Sequence, residues 1–234
     1  MDLGVTLLSG GIDSYLSTAL ARAQSNIEIV LALTFDYGQR SAPQEIKAAQ
    51  KIAQLWRMRH QIIELPWLKN LGENALTHTN ARLPQFRDLK KLEDQKATEK
   101  SAEAVWVPNR NGVFINIAAS FAETLGATLI LTGFNREEAA TFPDNTSDYV
   151  SRINRALELS TLIYPPKVKS YVQELNKKEM VAKLIEMDLP LDYFWSCYEG
   201  GSVRTKMCGA CESCARTAAA FKENQLWEKI GHRF

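Results

Sequence analysis

The sequence predicts an α/β protein: a Rossmann-like parallel sheet with helices on both faces, followed by a cysteine-rich carboxyl-terminal segment that binds zinc. Short apolar runs alternate with stretches whose apolar residues recur every three or four positions, as in helices. Because neighbouring parallel strands need a crossover, and this is usually a helix, the alternation predicts a parallel sheet covered on both faces.

The elements follow from these patterns in chain order. The first strand passes through two glycines into a helix whose inward face carries Tyr15, Leu16, Ala19, Leu20 and Ala23. The predicted strands are 4–8, 28–35, 60–65, 128–134 and 168–171. The predicted helices are 13–24, 41–56, 111–125, 147–162 and 176–187.

One long stretch interrupts the alternation. Residues 67–105 combine turn-forming residues with a charged run over 87–100, and we expect them to form a mobile lid or insertion. The predicted domains are therefore an α/β domain over 1–190, containing this insertion, and a four-cysteine segment over 191–234 packed on it.

Composition narrows the function classes. Lys and Arg number 28 against 27 for Asp and Glu, so the net charge of +1 provides no electrostatic footprint for nucleic acid or membrane. A small molecule is the expected partner. The residues from Met1 to Val5 lack a basic segment followed by a long apolar run, and no run is long enough to span a bilayer. We expect a cytoplasmic protein.

The loop from Ser9 to Ser14 has the features of a phosphate site. Its glycines let phosphate oxygens approach the backbone, and the first helical turn presents unpaired N–H groups to an anion. The hydroxyls of Ser9 and Ser14 add donors. Asp13 would repel phosphate, so we assign it to the helix start and to a Mg²⁺ that accompanies the nucleotide. The alternative is an ordinary strand-to-helix turn capped by Ser and Asp.

Four cysteines form a second motif near the carboxyl terminus. Cys197, Cys208, Cys211 and Cys214 are separated by ten, two and two residues, and the short spacings let thiolates converge on one ion. We expect a structural Zn²⁺, since a shell of four cysteines leaves no coordination position for water. An iron–sulfur cluster and a redox disulfide remain alternatives on spacing alone.

The whole loop resembles the Ser-Gly-Gly-x-Asp-Ser signature of the PP-loop ATP pyrophosphatases. No Gly-Lys-Ser/Thr follows it, so it differs from a Walker A sequence. The resemblance implies an adenine nucleotide alpha hydrolase-like fold and cleavage of ATP to AMP and pyrophosphate, with Asp13 and Ser14 as catalytic residues. It implies ATP contacts over one continuous run: Leu8, Ser9, Gly10, Gly11, Ile12, Asp13, Ser14, Tyr15, Leu16, Ser17 and Thr18.

Further segments resemble the 7-cyano-7-deazaguanine synthases, which act in queuosine and archaeosine precursor synthesis. The matching segments are 35–40, 107–111, 132–135 and 208–216. The resemblance implies that 7-carboxy-7-deazaguanine is adenylated on its carboxylate, converted by ammonia to an amide, activated again and dehydrated to the nitrile. It also implies a homodimer.

Several site residues follow from this resemblance and from their place after strand ends, where open α/β sheets bind ligands. Arg110 could neutralise a phosphate or carboxylate, or be a surface arginine. Lys178 aligns with a catalytic lysine, although Lys177 is an equal candidate and either could belong to a solvated face. The expected substrate-binding residues are Tyr37, Gln39, Arg40, Asn135, Phe142 and Asp144.

One segment departs from the family pattern. Members carry Asp-x-Ser-Gly-Tyr-Pro-Asp-Cys, whereas residues 138–145 read Glu-Ala-Ala-Thr-Phe-Pro-Asp-Asn. This leaves open a different acceptor, such as another heterocyclic acid or a tRNA base that is thiolated. A zinc-ribbon module that binds RNA or protein is a non-enzymatic alternative, but it would leave the phosphate loop unexplained.

Overall fold

A computed structural model describes residues 1–201 and 203–234, and in this part of the chain the strands form one parallel sheet. The strands are β1 (Asp2–Leu7), β2 (Ile27–Asp36), β3 (His60–Glu64), β4 (Leu129–Thr132) and β5 (Lys167–Ser170). Their order across the sheet is β3-β2-β1-β4-β5. The strand order reverses at β1, which pairs with β2 on one side and β4 on the other. Open α/β sheets bind ligands at such a point.

The helices that connect and follow the strands lie on both sheet faces. They are α1 (Ile12–Arg22), α2 (Ala42–Leu55), α3 (Gln95–Val105), α4 (Arg110–Leu125), α5 (Arg136–Ala139), α6 (Ser147–Ser160), α7 (Lys177–Glu186), α8 (Glu212–Glu223) and α9 (Trp227–Ile230). Short 3₁₀ turns occupy Pro66–Asn70, Leu89–Leu92, Pro143–Asn145 and Gly231–Arg233.

Strand β2 shows how the sheet separates two cores. Side chains normally alternate between the faces of a strand, but the pairing with β1 shifts register between Ile29 and Leu31 and so turns Leu31 to the face opposite Ile29. Both faces of the strand are apolar. Ile29 and Ala32 pack with α1, α2, α7 and α8, whereas Leu31 and Leu33 pack with α4 and α6. The predicted α/β class, with helices on both faces of a parallel sheet, is confirmed.

The segment predicted to be a lid or insertion contributes to the second core. Leu68, Leu76, Leu83 and Phe86 are each at most 5% exposed. The three leucines belong to the second core, and the Phe86 N–H donates to the Ala210 carbonyl of the cysteine segment. The structure also forms α3 here, which the sequence analysis missed because the run is highly charged. The segment is an insertion between β3 and α4 that packs on the domain, while the boundary at residue 190 stays a prediction.

The other differences are local. Predicted element ends lie within about three residues of the observed ones, as expected when helix ends fray. The sequence analysis did not predict α8, which begins directly after Cys211. In the described part of the chain, no helix combines the length and apolarity that crossing a membrane requires.

We expect Leu31→Ala in β2 to lower the free energy of unfolding by about 2–5 kcal/mol, because it leaves a cavity at a fully buried position. Leu159→Ala, at a position 92% exposed, should change it by less than about 0.5 kcal/mol. Urea titration followed by circular dichroism measures both. Equal effects of the two substitutions would contradict this account of the core.

Candidate active site

An open cavity of about 240 Å³ lies at the carboxyl ends of β1, β2 and β4. The loop after β1 forms one wall, residues after β4 form the floor, and the segment from Trp195 to Tyr198 covers one side. Both polar and aromatic side chains line it. The cavity therefore lies where the strand order predicts a ligand.

Glycines let three backbones meet around the start of α1. Gly10 has φ +80°, and a Cβ there would lie 2.5 Å from the carbonyl oxygen of Glu45 in α2. A Cβ on Gly133, just after β4, would lie 2.7 Å from the backbone nitrogen of Ser14. Both positions therefore exclude a side chain, and the two glycines hold the loop between α2 and the end of β4.

The loop hydroxyls are organised around the first turn of α1. Ser9 Oγ lies 3.0 Å from Ser14 Oγ and accepts a hydrogen bond from the Gly11 N–H at 3.2 Å. Gly11 occupies the N-cap position of this eleven-residue helix, and no side chain there caps the helix N–H groups. The N–H groups of the first turn and the two hydroxyls therefore face the cavity, an arrangement that suits an anion.

Lys177, the first residue of α7, contacts this loop although it is distant in sequence. Its Nζ donates to Asp13 Oδ1 at 2.5 Å, and its side chain is only 7% exposed. Burial alone would lower the lysine pKa, but Asp13 and Glu138 together raise it above its ordinary value. The lysine is therefore charged, and it lies beside the helix start.

Lys178, expected to be the catalytic lysine with Lys177 as an equal candidate, lies apart from the loop. One residue further along α7 turns its side chain by about 100°, away from the cavity. The side chain is 55% exposed, and its Nζ lies 3.7 Å from a carboxylate oxygen of Glu223 in α8. The structure brings Lys177, and not Lys178, to the loop.

Glu138 is a cavity residue that the sequence analysis noted only as part of the divergent segment. It follows Asn135, whose Oδ1 accepts from the Glu138 N–H at 3.0 Å and caps α5. Its carboxyl group is surrounded by protein and lies near Asp13. Burial first and then the negative charge of Asp13 raise its pKa from 4.5 to about 7, against the opposing effect of Lys177.

Arg110 enters the cavity from the start of α4. Its Nη1 donates to the Tyr37 hydroxyl at 3.1 Å, and its guanidinium lies 5.6 Å from the centre of that ring. Burial alone would lower its pKa, but Tyr37 and Asp144 raise it. Asp144 itself has a raised pKa because of burial, which Arg110 opposes. The structure thus brings together three of the residues expected at the site.

Aromatic rings form the wall opposite the loop. Trp106 and Phe142 lie nearly parallel, with 12° between their planes and 6.1 Å between their centres. Phe35 and Phe114 stack at 4.0 Å. Flat apolar surfaces of this kind suit planar heterocycles. Phe142 is thus placed where the sequence analysis expected a substrate contact, and Trp106 is an additional candidate.

Two residues predicted to bind substrate support the cavity instead. Gln39 Nε2 donates to the Phe35 carbonyl and to Glu45, and its Oε1 accepts from the Tyr37 N–H. It therefore stabilises the turn after β2. Its side chain is not part of the cavity wall.

Arg40 is the second of these supporting residues. Its Nη2 donates to the carbonyl oxygens of His78 and Ala81, and its Nη1 donates to Glu199 at 3.4 Å. The guanidinium therefore joins the insertion to the carboxyl-terminal segment. Asn135 likewise lies outside the cavity wall and acts as the helix cap described above. A lone motif residue does not reveal which way its side chain points.

The predicted ATP contacts divide by their position on α1. Ser9, Gly11, Ile12, Asp13 and Ser14 line the cavity. Gly10 packs against α2. The remaining five predicted contacts point into the protein: Leu8, Tyr15, Leu16, Ser17 and Thr18 are all buried and do not line the cavity. The helix directs only its first turn toward a ligand.

The four cysteine sulfurs converge at the other end of the covering segment. Their Sγ atoms all lie within 4.8 Å of one another, and those of Cys208 and Cys214 are 3.8 Å apart. Zn–S bonds of about 2.3 Å in a tetrahedron imply a sulfur separation of about 3.8 Å. Backbone N–H groups donate to Cys197 Sγ and Cys208 Sγ at 3.2–3.4 Å. The sulfurs therefore fit one tetrahedral metal ion.

The cysteine segment also contacts the phosphate loop. The Trp195 N–H donates to the Gly10 carbonyl at 2.8 Å, and Trp195, Ser196, Cys197 and Tyr198 line the cavity. No sequence pattern singled out these residues, apart from the metal ligand. The metal site and the cavity share this stretch of chain.

Comparisons with known proteins find a matching family and several similar sequences. A family model described as queuosine biosynthesis protein QueC matches residues 4–225. A 7-cyano-7-deazaguanine synthase of Pelotomaculum thermopropionicum is 49% identical over 218 residues, covering 93% of this chain and 96% of the relative. A protein of the same name from Methanosarcina mazei is 44% identical, covering 97% and 98%. One from Desulforamulus reducens is 46% identical, covering 93% and 92%.

We expect Glu138 to make stability depend on pH. Between about pH 4.5 and 7 the folded protein retains a proton that the unfolded chain has lost, so the stabilising contribution present below pH 4.5 disappears as the pH rises through this window. Glu138→Gln cannot titrate. Its free energy of unfolding, measured in urea, should therefore fall less than that of the wild type between pH 5 and 8. Parallel pH profiles would show that the carboxyl group has an ordinary pKa.

Proposed function

The chain belongs to the QueC family of queuosine biosynthesis proteins, and we propose that it converts 7-carboxy-7-deazaguanine, ammonia and ATP to 7-cyano-7-deazaguanine. Family membership confirms the resemblance drawn from the motifs. The relatives carry the name of this synthase over nearly the full length of the chain. The observation that carries the proposal is the loop from Ser9 to Ser14, which lines the cavity and whose Asp13 accepts a hydrogen bond from the buried Lys177.

The loop supports ATP as the activating substrate. The N–H groups of the first turn and the two serine hydroxyls can hold the β,γ-pyrophosphate, the leaving group of adenylation. Lys177 is buried beside this position and can compensate its charge. We infer that Asp13 and Ser14 act here, and that Lys177 takes the role assigned to Lys178 from the sequence.

Asp13 suits a Mg²⁺ that accompanies the nucleotide. A carboxylate oxygen is a preferred ligand of this ion, which usually retains waters and also binds substrate phosphates. When bound, the ion would neutralise phosphate charge. The close contact with Lys177 fixes the orientation of the Asp13 carboxylate within the loop.

The first step needs orientation more than acid–base chemistry. A carboxylate is already nucleophilic, so its oxygen can attack the α-phosphorus once both groups are held in line. Arg110 offers a buried positive charge to the acid or to the α-phosphate. The paired rings of Trp106 and Phe142, with Asp144 nearby, suit the planar base. These contacts are part of our proposal.

Ammonia then displaces AMP from the acyl adenylate and forms an amide. A second ATP activates the amide oxygen, and loss of AMP with the amide protons leaves the nitrile. Both rounds use the same loop, because in both a substrate oxygen attacks the α-phosphorus of ATP and displaces pyrophosphate. One cavity can therefore serve the whole sequence.

We infer that the metal held by the cysteines is Zn²⁺. Four thiolates in a single tetrahedron suit zinc, whereas sulfurs around several iron atoms must lie further apart. All four cysteines are free thiols, as metal binding requires. The ion would stabilise the segment that covers the cavity. Reduced, metal-binding cysteines are typical of a cytoplasmic protein, which is the location we propose. The homodimer implied by the family resemblance stays a prediction.

The proposed function is tested by incubating the purified protein with Mg-ATP, ammonium and 7-carboxy-7-deazaguanine. We expect AMP, pyrophosphate and the nitrile, identified by its mass, and no nitrile when any component is omitted. Formation of AMP without amide or nitrile would rule out the proposed acceptor while retaining the adenylation chemistry. No ATP cleavage in the presence of the acid would overturn both.

The two neighbouring lysines provide a matched pair of variants. Lys177→Met should lower the rate of acid-dependent pyrophosphate release by about 10²-fold or more, because it removes a charge held at the leaving group. Lys178→Met, at an exposed position on the same helix, should stay within about twofold of the wild type. The opposite ranking would restore the assignment made from the sequence.

Metal analysis tests the cysteine site. The wild type should contain about one zinc per chain, and Cys211→Ser should lose most of it and unfold at a lower urea concentration. Thr205→Ser, at an exposed position in the same segment, is the control and should retain the metal. Iron in place of zinc would contradict the assignment.

A further inference from the structure

Four buried hydroxyl groups among the described residues have no hydrogen-bond partner. They belong to Ser101, Thr132, Ser196 and Thr217, and each of these residues is at most 8% exposed. A buried hydroxyl without a partner is unfavourable, because it has lost its hydrogen bonds to water and gained none from the protein. In a ligand cavity, such a hydroxyl indicates a partner that comes from outside the chain.

Two of these four hydroxyls belong to the candidate active site. Thr132 and Ser196 line the cavity, whereas Ser101 in α3 and Thr217 in α8 do not. A ligand in the cavity can therefore contact the first two and not the others. The four residues form a serine pair and a threonine pair, each with one member in the cavity and one outside it.

Thr132 is held beside the phosphate loop by the residue that follows it. Thr132 ends β4, and Gly133 packs closely on the first turn of α1. A Cβ on Gly133 would lie 2.9 Å from the backbone carbonyl carbon of Asp13. Thr132 therefore lines the cavity one residue away from a contact with the loop.

Ser196 is held beside the same loop by the residue that precedes it. Trp195 donates its N–H to the Gly10 carbonyl at 2.8 Å, and a Cβ on Gly11 would lie 3.9 Å from the Trp195 carbonyl oxygen. This carbonyl belongs to the peptide group that joins Trp195 to Ser196. The covering segment therefore brings Ser196 to the glycines of the loop, as β4 brings Thr132 to its other end.

The chemistry of the loop identifies the partner of both hydroxyls. The first turn of α1 and the hydroxyls of Ser9 and Ser14 present donors to an anion. Phosphate oxygens accept hydrogen bonds, and each unpartnered hydroxyl has a proton to donate. Resting on the proposed function, we propose that Thr132 and Ser196 bind the phosphate chain of ATP. The cysteine segment then contributes a ligand contact of its own, in addition to covering the cavity.

Variants without these hydroxyls test the proposal by equilibrium binding. Thr132→Val and Ser196→Ala should each raise the dissociation constant of Mg-ATP about tenfold or more, because each removes a hydrogen bond to a charged group. Isothermal titration calorimetry without 7-carboxy-7-deazaguanine measures this constant. Thr132→Ser retains the hydroxyl and should stay within about threefold of the wild type.

The two hydroxyls outside the cavity provide matched controls. Thr217→Val and Ser101→Ala remove hydroxyls that are equally buried and also lack a partner, and both variants should bind Mg-ATP as the wild type does. None of the four substitutions that remove a hydroxyl should lower the urea concentration at which the protein unfolds, since none leaves a hydrogen-bonding group without its partner. This measurement separates the loss of a ligand contact from the loss of folding.

The outcomes also separate this proposal from the proposed function. Unchanged affinity for Mg-ATP in Thr132→Val and Ser196→Ala would overturn the hydroxyl assignment, and so would equal losses in the two control variants. A raised KM for 7-carboxy-7-deazaguanine with unchanged affinity for Mg-ATP would overturn it as well. If the wild type binds Mg-ATP but forms no nitrile, the proposed function fails, and the ranking of the variants in ATP binding still decides the hydroxyl assignment.

Discussion

The close approach of three backbones at the start of α1 is the constraint on which the rest of the structure depends. Gly10 packs on α2, Gly133 lies against Ser14, and the Trp195 N–H donates to the Gly10 carbonyl. These contacts join chain segments that are far apart in sequence. Because the contacts leave no room for a Cβ at either glycine, the first turn of α1 is held in place, and its N–H groups are available to an anion.

Charge in the cavity is arranged around this turn. Asp13 and Lys177 form a partly buried ion pair, whose desolvation cost makes it weak evidence for a contribution to stability. Arg110 and Asp144 form a second group, and the Glu138 carboxyl group interacts electrostatically with Asp13 and Lys177 of the first group and with Arg110 of the second. In the proposed reaction two rounds of adenylation release pyrophosphate in the same cavity, and stabilising the charge that develops requires positive and negative groups that are already oriented.

The metal site belongs to the same arrangement. Cys197 contributes both to the four-sulfur cluster and to the cavity wall, and its neighbours Trp195 and Tyr198 cover the loop. Any ion that stabilises the sulfurs also positions this cover. A structural metal can therefore influence turnover without contacting substrate, which accounts for a cysteine motif at the end of a nucleotide-binding domain.

The sequence by itself determined the features that depend on local pattern. Apolar periodicity located the strands and most helices, the Ser9 to Ser14 motif located the loop, and short cysteine spacings located the metal cluster. Tertiary structure alone decided which polar side chains enter the cavity. It also decided that Lys177 contacts Asp13 whereas Lys178 faces solvent, because successive residues of a helix point about 100° apart. Arg40 bonds to the insertion and to Glu199 whereas Glu138 lines the cavity, because side-chain direction depends on packing partners distant in sequence.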